Sequence, residues 1–237
     1  MLAVRVVPVP QAHAGPPYVA DDPETTDYRH FETYLFASAA STRDGTSGAA
    51  GVDFSYGAGP DLQLTLVAPA AQERPNQGQS ATGPGNIERA AKIRLAHQAR
   101  VGWDVSVFPR IVLPGASRRV GDQHAAYLLP AWIEKDWGRW STFGGGGYVI
   151  NHGSGSQDYT LLAWAITRQV LPRLQIGAEL FHRSADTREG VSSTGLSAGL
   201  RFDFSDRYHL LGSFGPGIQN ASATNVHSWY LALLITR

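Results

Sequence analysis

Charged side chains recur at every second position within several apolar stretches of this sequence. Because successive side chains of a β-strand point to opposite faces of a sheet, such charges would share one face, where rings of charge can select ions. Eleven residues are candidates for a charged lining of a barrel interior: Glu32, Asp53, Glu88, Lys92, Arg94, Asp104, Arg110, Glu179, Arg183, Arg201 and Asp203. Acids and bases are comparable in number, so the alternative is an interior filled by mutually paired charges.

His182 and Ser184 are a second chemical candidate, because they are two positions apart and Glu189 is nearby. A nucleophilic serine needs a histidine base that an acid orients. That arrangement would suit an enzyme that modifies membrane lipid. His182 shares its strand face with Leu180, however, which favours an ordinary outward-facing histidine.

Metal binding has two candidate regions, and neither has convincing ligand spacing. Asp21, Asp22, Glu24 and Asp27 could offer oxygen ligands to a cation such as Ca²⁺, but Pro23 interrupts them. A solvated acidic linker is the favoured interpretation. Single histidines near predicted loops, at positions 124, 152 and 227, have no common spacing. We therefore expect no metal and no cofactor.

The elements that position these residues are short strands. From residue 31 onward, stretches of about 9–12 residues alternate apolar and polar side chains, which is the length that a tilted strand needs to cross a membrane. Short and long connections alternate between them, and the first long connection is predicted at 42–48. About twelve strands are predicted, at 31–41, 49–57, 61–69, 87–97, 103–112, 124–134, 140–150, 159–169, 173–183, 193–204, 208–216 and 227–236.

This rhythm predicts an all-β fold: a closed antiparallel transmembrane β-barrel with short periplasmic turns and longer extracellular loops. Aromatic residues support it. Trp103, Trp137, Trp140 and Tyr208 fall beside short turns, whereas Tyr127, Tyr148, Tyr159, Trp229 and Tyr230 fall beside long loops. Two such bands are typical of membrane interfaces. The four glycines at 144–147 lie within a strand pattern and predict either a kink or close approach of another segment, such as a plug.

Composition restricts the partners and the compartment. The 237 residues include 20 basic and 20 acidic side chains, so we expect no nucleic-acid partner. There are no cysteines, and charged residues make up 17%, below the ~25% of a typical soluble domain. The expected partners are outer-membrane lipid and a small solute; the oligomeric state stays open. A secreted soluble β-sandwich that binds a ligand is the competing fold.

Three regions are expected along the chain. Residues 1–14 resemble an export signal or a truncated leader, with Ala12-His13-Ala14 as the cleavage pattern. Residues 15–30 form an irregular segment that could fold into the barrel as a plug. Residues 31–237 form the barrel.

Several motifs occur together in a fixed order: PPYVADDPE at 16–24, LQLTLVAP at 62–69, GPGNIE at 83–88 with KIR at 92–94, FP at 108–109 with LPG at 113–115, GGGGY at 144–148 and GIQN at 217–220. This series resembles a group of Gram-negative outer-membrane barrels labelled "MetA-pathway of phenol degradation" or simply "transporter". The resemblance implies an outer-membrane channel or uptake protein for small, aromatic or hydrophobic compounds. It implies no catalytic residue.

Overall fold

Alternating side chains produce β-strands along most of the chain. The computed structural model describes residues 17–115, 120 and 124–237. Its strands are β1 (Phe31–Thr42), β2 (Gly45–Gly59), β3 (Leu62–Pro75), β4 (Ala81–Pro84), β5 (Ile87–Ala96), β6 (Asp104–Val107), β7 (Arg110–Leu113), β8 (Ala126–Trp137), β9 (Trp140–Asn151), β10 (Tyr159–Leu171), β11 (Leu174–Arg183), β12 (Ser193–Asp203), β13 (Tyr208–Gly215), β14 (Gly217–Gln219) and β15 (His227–Thr236).

Antiparallel pairing closes these strands into a barrel, because β1 pairs with β2 on one side and with β15 on the other. Three positions in the barrel are each occupied by an interrupted strand that consists of two pieces: β4 with β5, β6 with β7, and β13 with β14. Two of the interruptions fall at Pro109 and Pro216, which have no backbone N–H to give to a neighbouring strand. The described strands thus make a twelve-stranded closed barrel, which confirms the predicted fold and excludes the β-sandwich.

The two ends of the barrel differ. The end at residues 60–61, 97–103, 138–139, 172–173 and 204–207 is called the short-turn end, and it also holds the start of β1 and the end of β15. The opposite end, with residues 76–80, 114–115, 124–125, 152–158, 184–192 and 220–226, is called the long-loop end. Short helices lie in two connections, α1 (Gln98–Val101) and α2 (Ala221–Thr224). Among the described residues, no helix is long and apolar enough to span a membrane.

One predicted loop is wrong. Instead of a loop at 42–48, β1 extends to Thr42 and β2 begins at Gly45, and these two residues pair across a two-residue turn. Residues 45–48 are small or polar and look like loop sequence, but they pair with both β1 and β3. The turn itself consists of Arg43 and Asp44, and Gly45 is already the first residue of β2.

The outer face of the wall is apolar, as Leu64, Leu180 and Leu231 illustrate by their exposure. Exposed aromatic residues lie near both ends: Trp103, Trp137, Trp140 and Tyr208 at the short-turn end, and Tyr127, Tyr148 and Trp229 at the long-loop end. Two predicted band residues are wrong. Tyr159 is only 3% exposed, and Tyr230 stacks on the buried Phe36, because both occupy strand positions that face inward.

Residues 17–26 lie inside the barrel, and residues 27–30, which are exposed, lead from this segment into β1. Tyr18, Ala20 and Asp21 are buried, and Tyr28 forms a parallel bridge to Gly57 of β2. The burial of Asp21 overturns the interpretation of this segment as a solvated acidic linker. The predicted leader at 1–14 and the first two residues of the 15–30 segment lie outside the described residues.

Candidate functional site

Asp21 is the centre of an ion-pair network inside the barrel. Its Oδ1 lies 2.9 Å from Lys92 Nζ, and its Oδ2 lies 2.9 Å from Arg110 Nη2. Arg110 Nη1 also lies 3.2 Å from Glu88 Oε1. Even-numbered positions of β5 and β7 face inward, which brings these three strand residues to the segment. Each of these four buried charges therefore has a partner of opposite sign, as a desolvated charge requires.

A second anchor holds the segment against the opposite wall. Glu179 Oε1 accepts a hydrogen bond of 2.5 Å from the backbone N–H of Ala20, and Glu179 Oε2 accepts one of 3.1 Å from Ser197 Oγ. Tyr18 lies over Gly177 and Gly199; a Cβ at position 199 would be 2.7 Å from Tyr18 Cε1. Burial, and then the charge of Glu179, raise the pKa of the Tyr18 phenol above its ordinary value.

A third anchor uses neutral polar groups. The Thr26 backbone N–H donates to Gln63 Oε1 at 2.8 Å, and Gln63 Nε2 donates to Ser55 Oγ at 3.1 Å and to Thr65 Oγ1 at 3.0 Å. Odd-numbered positions of β2 and β3 place these side chains inside. Side chains from three separate parts of the barrel wall therefore hold this short segment in place.

The short-turn mouth of the barrel carries more acids. Arg94 Nη2 lies 2.5 Å from Asp104 Oδ1, and Asp104 is directly opposite Glu134 of β8. Ser141 Oγ donates to Glu134 Oε1 at 2.7 Å. The neighbouring charge of Asp22, and then desolvation, raise the pKa of Glu24. Sequence reasoning missed Glu134, although it shares the inward parity of Trp132 in the same strand.

All eleven predicted interior charges occupy inward-facing strand positions, and they form local groups. Six of them line one cavity: Glu32, Asp53, Glu88, Lys92, Arg110 and Arg201. Arg201 and His209 both contact Asp203 Oδ1, at 2.9 and 2.6 Å. Arg183 is placed apart, near the long-loop end, where it lies 3.3 Å from Asp186.

The cavity lies between the segment and the charged wall and has a volume of about 140 Å³. Asp21, Asp22 and Glu24 line it from the segment. Its wall includes the aromatic rings of Tyr34 and Phe108 and the polar side chains of Ser55, Gln63 and Thr65. The sequence did not predict this cavity, because five of its eighteen lining residues come from a segment without strand periodicity.

The part of the interior next to β8, β9 and β10 is apolar. Trp132 is 0% exposed and packs in one cluster with Tyr18, Phe108 and Phe143. Arg110 and Lys92 lie over the Phe108 ring, 4.0 and 5.0 Å from its centre, so Phe108 borders both the apolar and the charged parts of the interior.

Glycines in β9 permit the close backbone approach of another segment. A Cβ at Gly147 would lie 2.7 Å from Pro130 Cα of β8. The neighbouring strand, rather than residues 17–30, therefore accounts for Gly147.

The hydrolase-like pair is not assembled. His182 Nδ1 lies 2.8 Å from Thr194 Oγ1, and Thr194 Oγ1 donates to Gln219 Oε1 at 2.6 Å. Ser184 Oγ instead accepts a hydrogen bond from the Thr160 backbone N–H at 2.9 Å. Within the part of the chain that the structure describes, no group of three or more His, Asp or Glu residues could hold a metal ion.

The motifs that carry the family resemblance converge in space. Asp21 of the first motif contacts Lys92 of the third, and it contacts Arg110 directly after the Phe108-Pro109 motif. The Gly115 backbone N–H donates to Asn86 Oδ1 at 3.0 Å, which joins two further motifs. These motifs therefore meet where the segment and Gly115 contact the barrel wall.

No family model and no curated protein sequence matches this chain. Solved structures do match. An outer-membrane channel from Pseudomonas putida F1 is 12% identical, with a TM-score of 0.76, over 90% of this chain and 97% of that one. The NanC porin is 9% identical, with a TM-score of 0.60, over 86% and 99% of the two chains. The KdgM porin, solved with oligogalacturonate, is 9% identical, with a TM-score of 0.57, over 87% and 97%. At these identities the similarity establishes the fold, which is that of outer-membrane β-barrels.

Proposed function

We propose that this protein is a bacterial outer-membrane channel for small solutes of apolar or aromatic character. The short-turn end faces the periplasm, and the long-loop end faces the cell exterior. The shared fold with outer-membrane channels and porins supports this role. The exposed apolar wall with aromatic residues near both ends supports the location in a membrane.

The single observation that carries the proposal is the position of residues 17–26 within the lumen. Asp21, Ala20 and Thr26 each bind a different wall of the barrel. A segment held at three points obstructs a passage, and its release would widen that passage. We therefore assign the segment the role of a gate at the periplasmic side.

The apolar wall supports the solute class. Trp132, Phe143 and Phe108 present aromatic surface inside the barrel, and Tyr18 of the gate covers part of it. Hydrophilic pores are usually lined by polar residues, whereas an aromatic wall favours apolar solutes that displace the gate. The ion pairs of the charged wall, which Lys92 and Arg110 make with Asp21, hold the gate in the absence of solute.

Uptake across the outer membrane tests the proposal. Cells that make the protein should accumulate a radiolabelled aromatic hydrocarbon such as naphthalene faster than cells with an empty vector, and they should gain little glucose uptake. The outer-membrane fraction should contain a band whose gel mobility shifts on boiling. Equal gains for naphthalene and glucose would contradict the solute class, and a soluble product without a shift would contradict the channel.

The matched control for uptake is a Trp164→Ala variant. Trp164 lies on the outer face of β10 and is 44% exposed. Its loss leaves the interior unchanged, so naphthalene uptake should stay at the parent level. A Trp132→Ala variant, by contrast, should change uptake because it removes the largest buried ring of the apolar wall.

A further inference from the structure

We propose that the 140 Å³ cavity between the gate and the charged wall is a binding site for a small primary ammonium ion, such as a short alkylamine in its protonated form. The site goes beyond the proposed passage of solutes, because it can bind its ligand whether or not anything crosses the barrel. Its principal ligand group is the carboxylate of Asp53.

The charges that line the cavity do not balance. Six carboxylates line it (Asp21, Asp22, Glu24, Glu32, Asp53 and Glu88), together with three basic side chains (Lys92, Arg110 and Arg201). A ligand that enters this site should therefore be a cation.

The three basic side chains of the lining already form ion pairs with carboxylates other than those of Asp53 and Glu32. Lys92 pairs with Asp21, and Arg110 bridges Asp21 and Glu88. Arg201 pairs with Asp203, which is outside the cavity lining. No described basic side chain lies within ion-pair distance of Asp53 or Glu32, so these two carboxylates are the ones that a bound cation would neutralise.

Asp53 is the most specific indication. Its Oδ1 is buried from solvent and has no hydrogen-bond partner among the described residues. An acceptor buried without a partner is costly, and native structures rarely keep one without a water, an ion or a ligand beside it. Cross-strand pairing places Asp53 between Tyr34 of β1 and Val67 of β3, on the inward face.

Other acceptors surround the same space, and their nature favours an N–H donor. Glu32 accepts a hydrogen bond from Tyr34 Oη at 3.2 Å and keeps further acceptor capacity. Ser55 and Thr65 hydroxyls lie 2.8 Å apart in the lining. A primary ammonium has three donors, which matches one carboxylate and two further oxygens, and its short alkyl chain can pack on the Tyr34 ring.

Cavity volume limits the ligand. An engineered cavity of about 150 Å³ in another protein accepts benzene, so about 140 Å³ suits a cation of a few carbon atoms. Tetrabutylammonium is too large and also has no N–H donor. A divalent metal is disfavoured, since the described residues include no cluster that could hold one.

Calorimetry on the purified, detergent-solubilised barrel tests the site with ethylammonium chloride as the probe, at low ionic strength. We expect saturable binding of one ethylammonium per barrel and no saturable heat with tetrabutylammonium or with sodium chloride. Asp53→Asn, which keeps the shape of the side chain, should weaken binding about tenfold or more, because it removes the charge from the hydrogen bond. Asp206→Asn, in the exposed 204–207 turn, is the matched control and should bind as the parent does.

Folding of every variant is checked by the gel shift on boiling, and Glu32→Gln provides a second variant that should also weaken binding. Absence of saturable heat in a folded barrel would overturn the site, as would equal affinity in Asp53→Asn, or equal binding of sodium and ethylammonium. These outcomes are independent of transport: a barrel that binds ethylammonium but does not take up naphthalene keeps the site and loses the proposed channel role.

Discussion

Asp21 and Arg110 form an ion pair of 2.9 Å, although 89 positions separate them in the sequence. Asp21 is 1% exposed and Arg110 is 5% exposed, so the pair is withdrawn from solvent. This pair joins the N-terminal segment to β7 of the barrel wall. It also explains why the segment has a fixed place despite its lack of regular secondary structure.

Asp21→Asn should release the segment from the charged wall. The substitution leaves Lys92 and Arg110 without their shared carboxylate, and breaking a buried ion pair in this way costs about 3–5 kcal/mol. Hydrogen exchange at residues 17–26 should become at least tenfold faster than in the parent. Asp27→Asn, at an exposed position of the same segment, should leave exchange unchanged. Equal protection in both variants would show that the ion pair does not hold the segment.

Gly199→Ala should displace Tyr18. The new Cβ would lie 2.7 Å from Tyr18 Cε1, and overpacking of this kind costs about 1–3 kcal/mol. The docked segment should open more often, which single-channel recording would report as more frequent open events. Gly212→Ala is the control, because its Cβ would lie 3.5 Å from Leu231 Cδ1, at an ordinary contact distance.

A double variant separates this clash from a general defect. Tyr18→Ala removes the ring that the new methyl group would meet, so adding Gly199→Ala to it should have little further effect on the frequency of openings. Additive effects of the two substitutions would mean that position 199 acts on the barrel through something other than Tyr18.

Strand parity and the locations of aromatic residues could be predicted from sequence to a large extent. The period of two in β5 and β12 placed Glu88, Lys92 and Arg201 on the inward face, and the structure has them there. Tyr159 follows the period of two of β10, which places it on the buried face with Leu161 and Ala163. The prediction of an interface position rested on its place beside a long loop and not on the strand pattern.

Other features had no local signal in the sequence. The docking of Asp21 depends on partners that are 71 and 89 positions away, and an acidic, proline-rich segment looks solvated when its partners are unknown. The two-residue turn at Arg43-Asp44 was hidden by the small residues after it, since strand propensity there is low and pairing with β3 overrides it.

Glu179→Ala should loosen the second anchor of the segment. The Ala20 N–H would lose its acceptor while buried, and an unsatisfied buried donor costs about 1–3 kcal/mol. Protection of the Ala20 amide against hydrogen exchange should fall about tenfold or more. Ser141→Ala removes a different interior hydroxyl, which bonds Glu134, and should leave that amide protected. An unchanged Ala20 amide in Glu179→Ala would contradict this anchor.

Tryptophan fluorescence tests the inward and outward faces. A variant that keeps Trp132 as its sole tryptophan should resist quenching by brominated lipids, since Trp132 is 0% exposed inside the barrel. A variant that keeps only Trp164, which is 44% exposed on the outer face, should be strongly quenched. Strong quenching of Trp132 would place it against lipid and reverse the parity of β8.

Single-channel conductance of the full-length barrel and of a variant without residues 15–30 tests the central claim most directly, that this segment closes the lumen. Both proteins are first shown to fold by the gel shift on boiling. We predict that the shortened barrel conducts several times more current than the full-length protein in planar bilayers. Equal conductance of the two folded barrels would contradict the gate and leave residues 15–30 with a structural role alone.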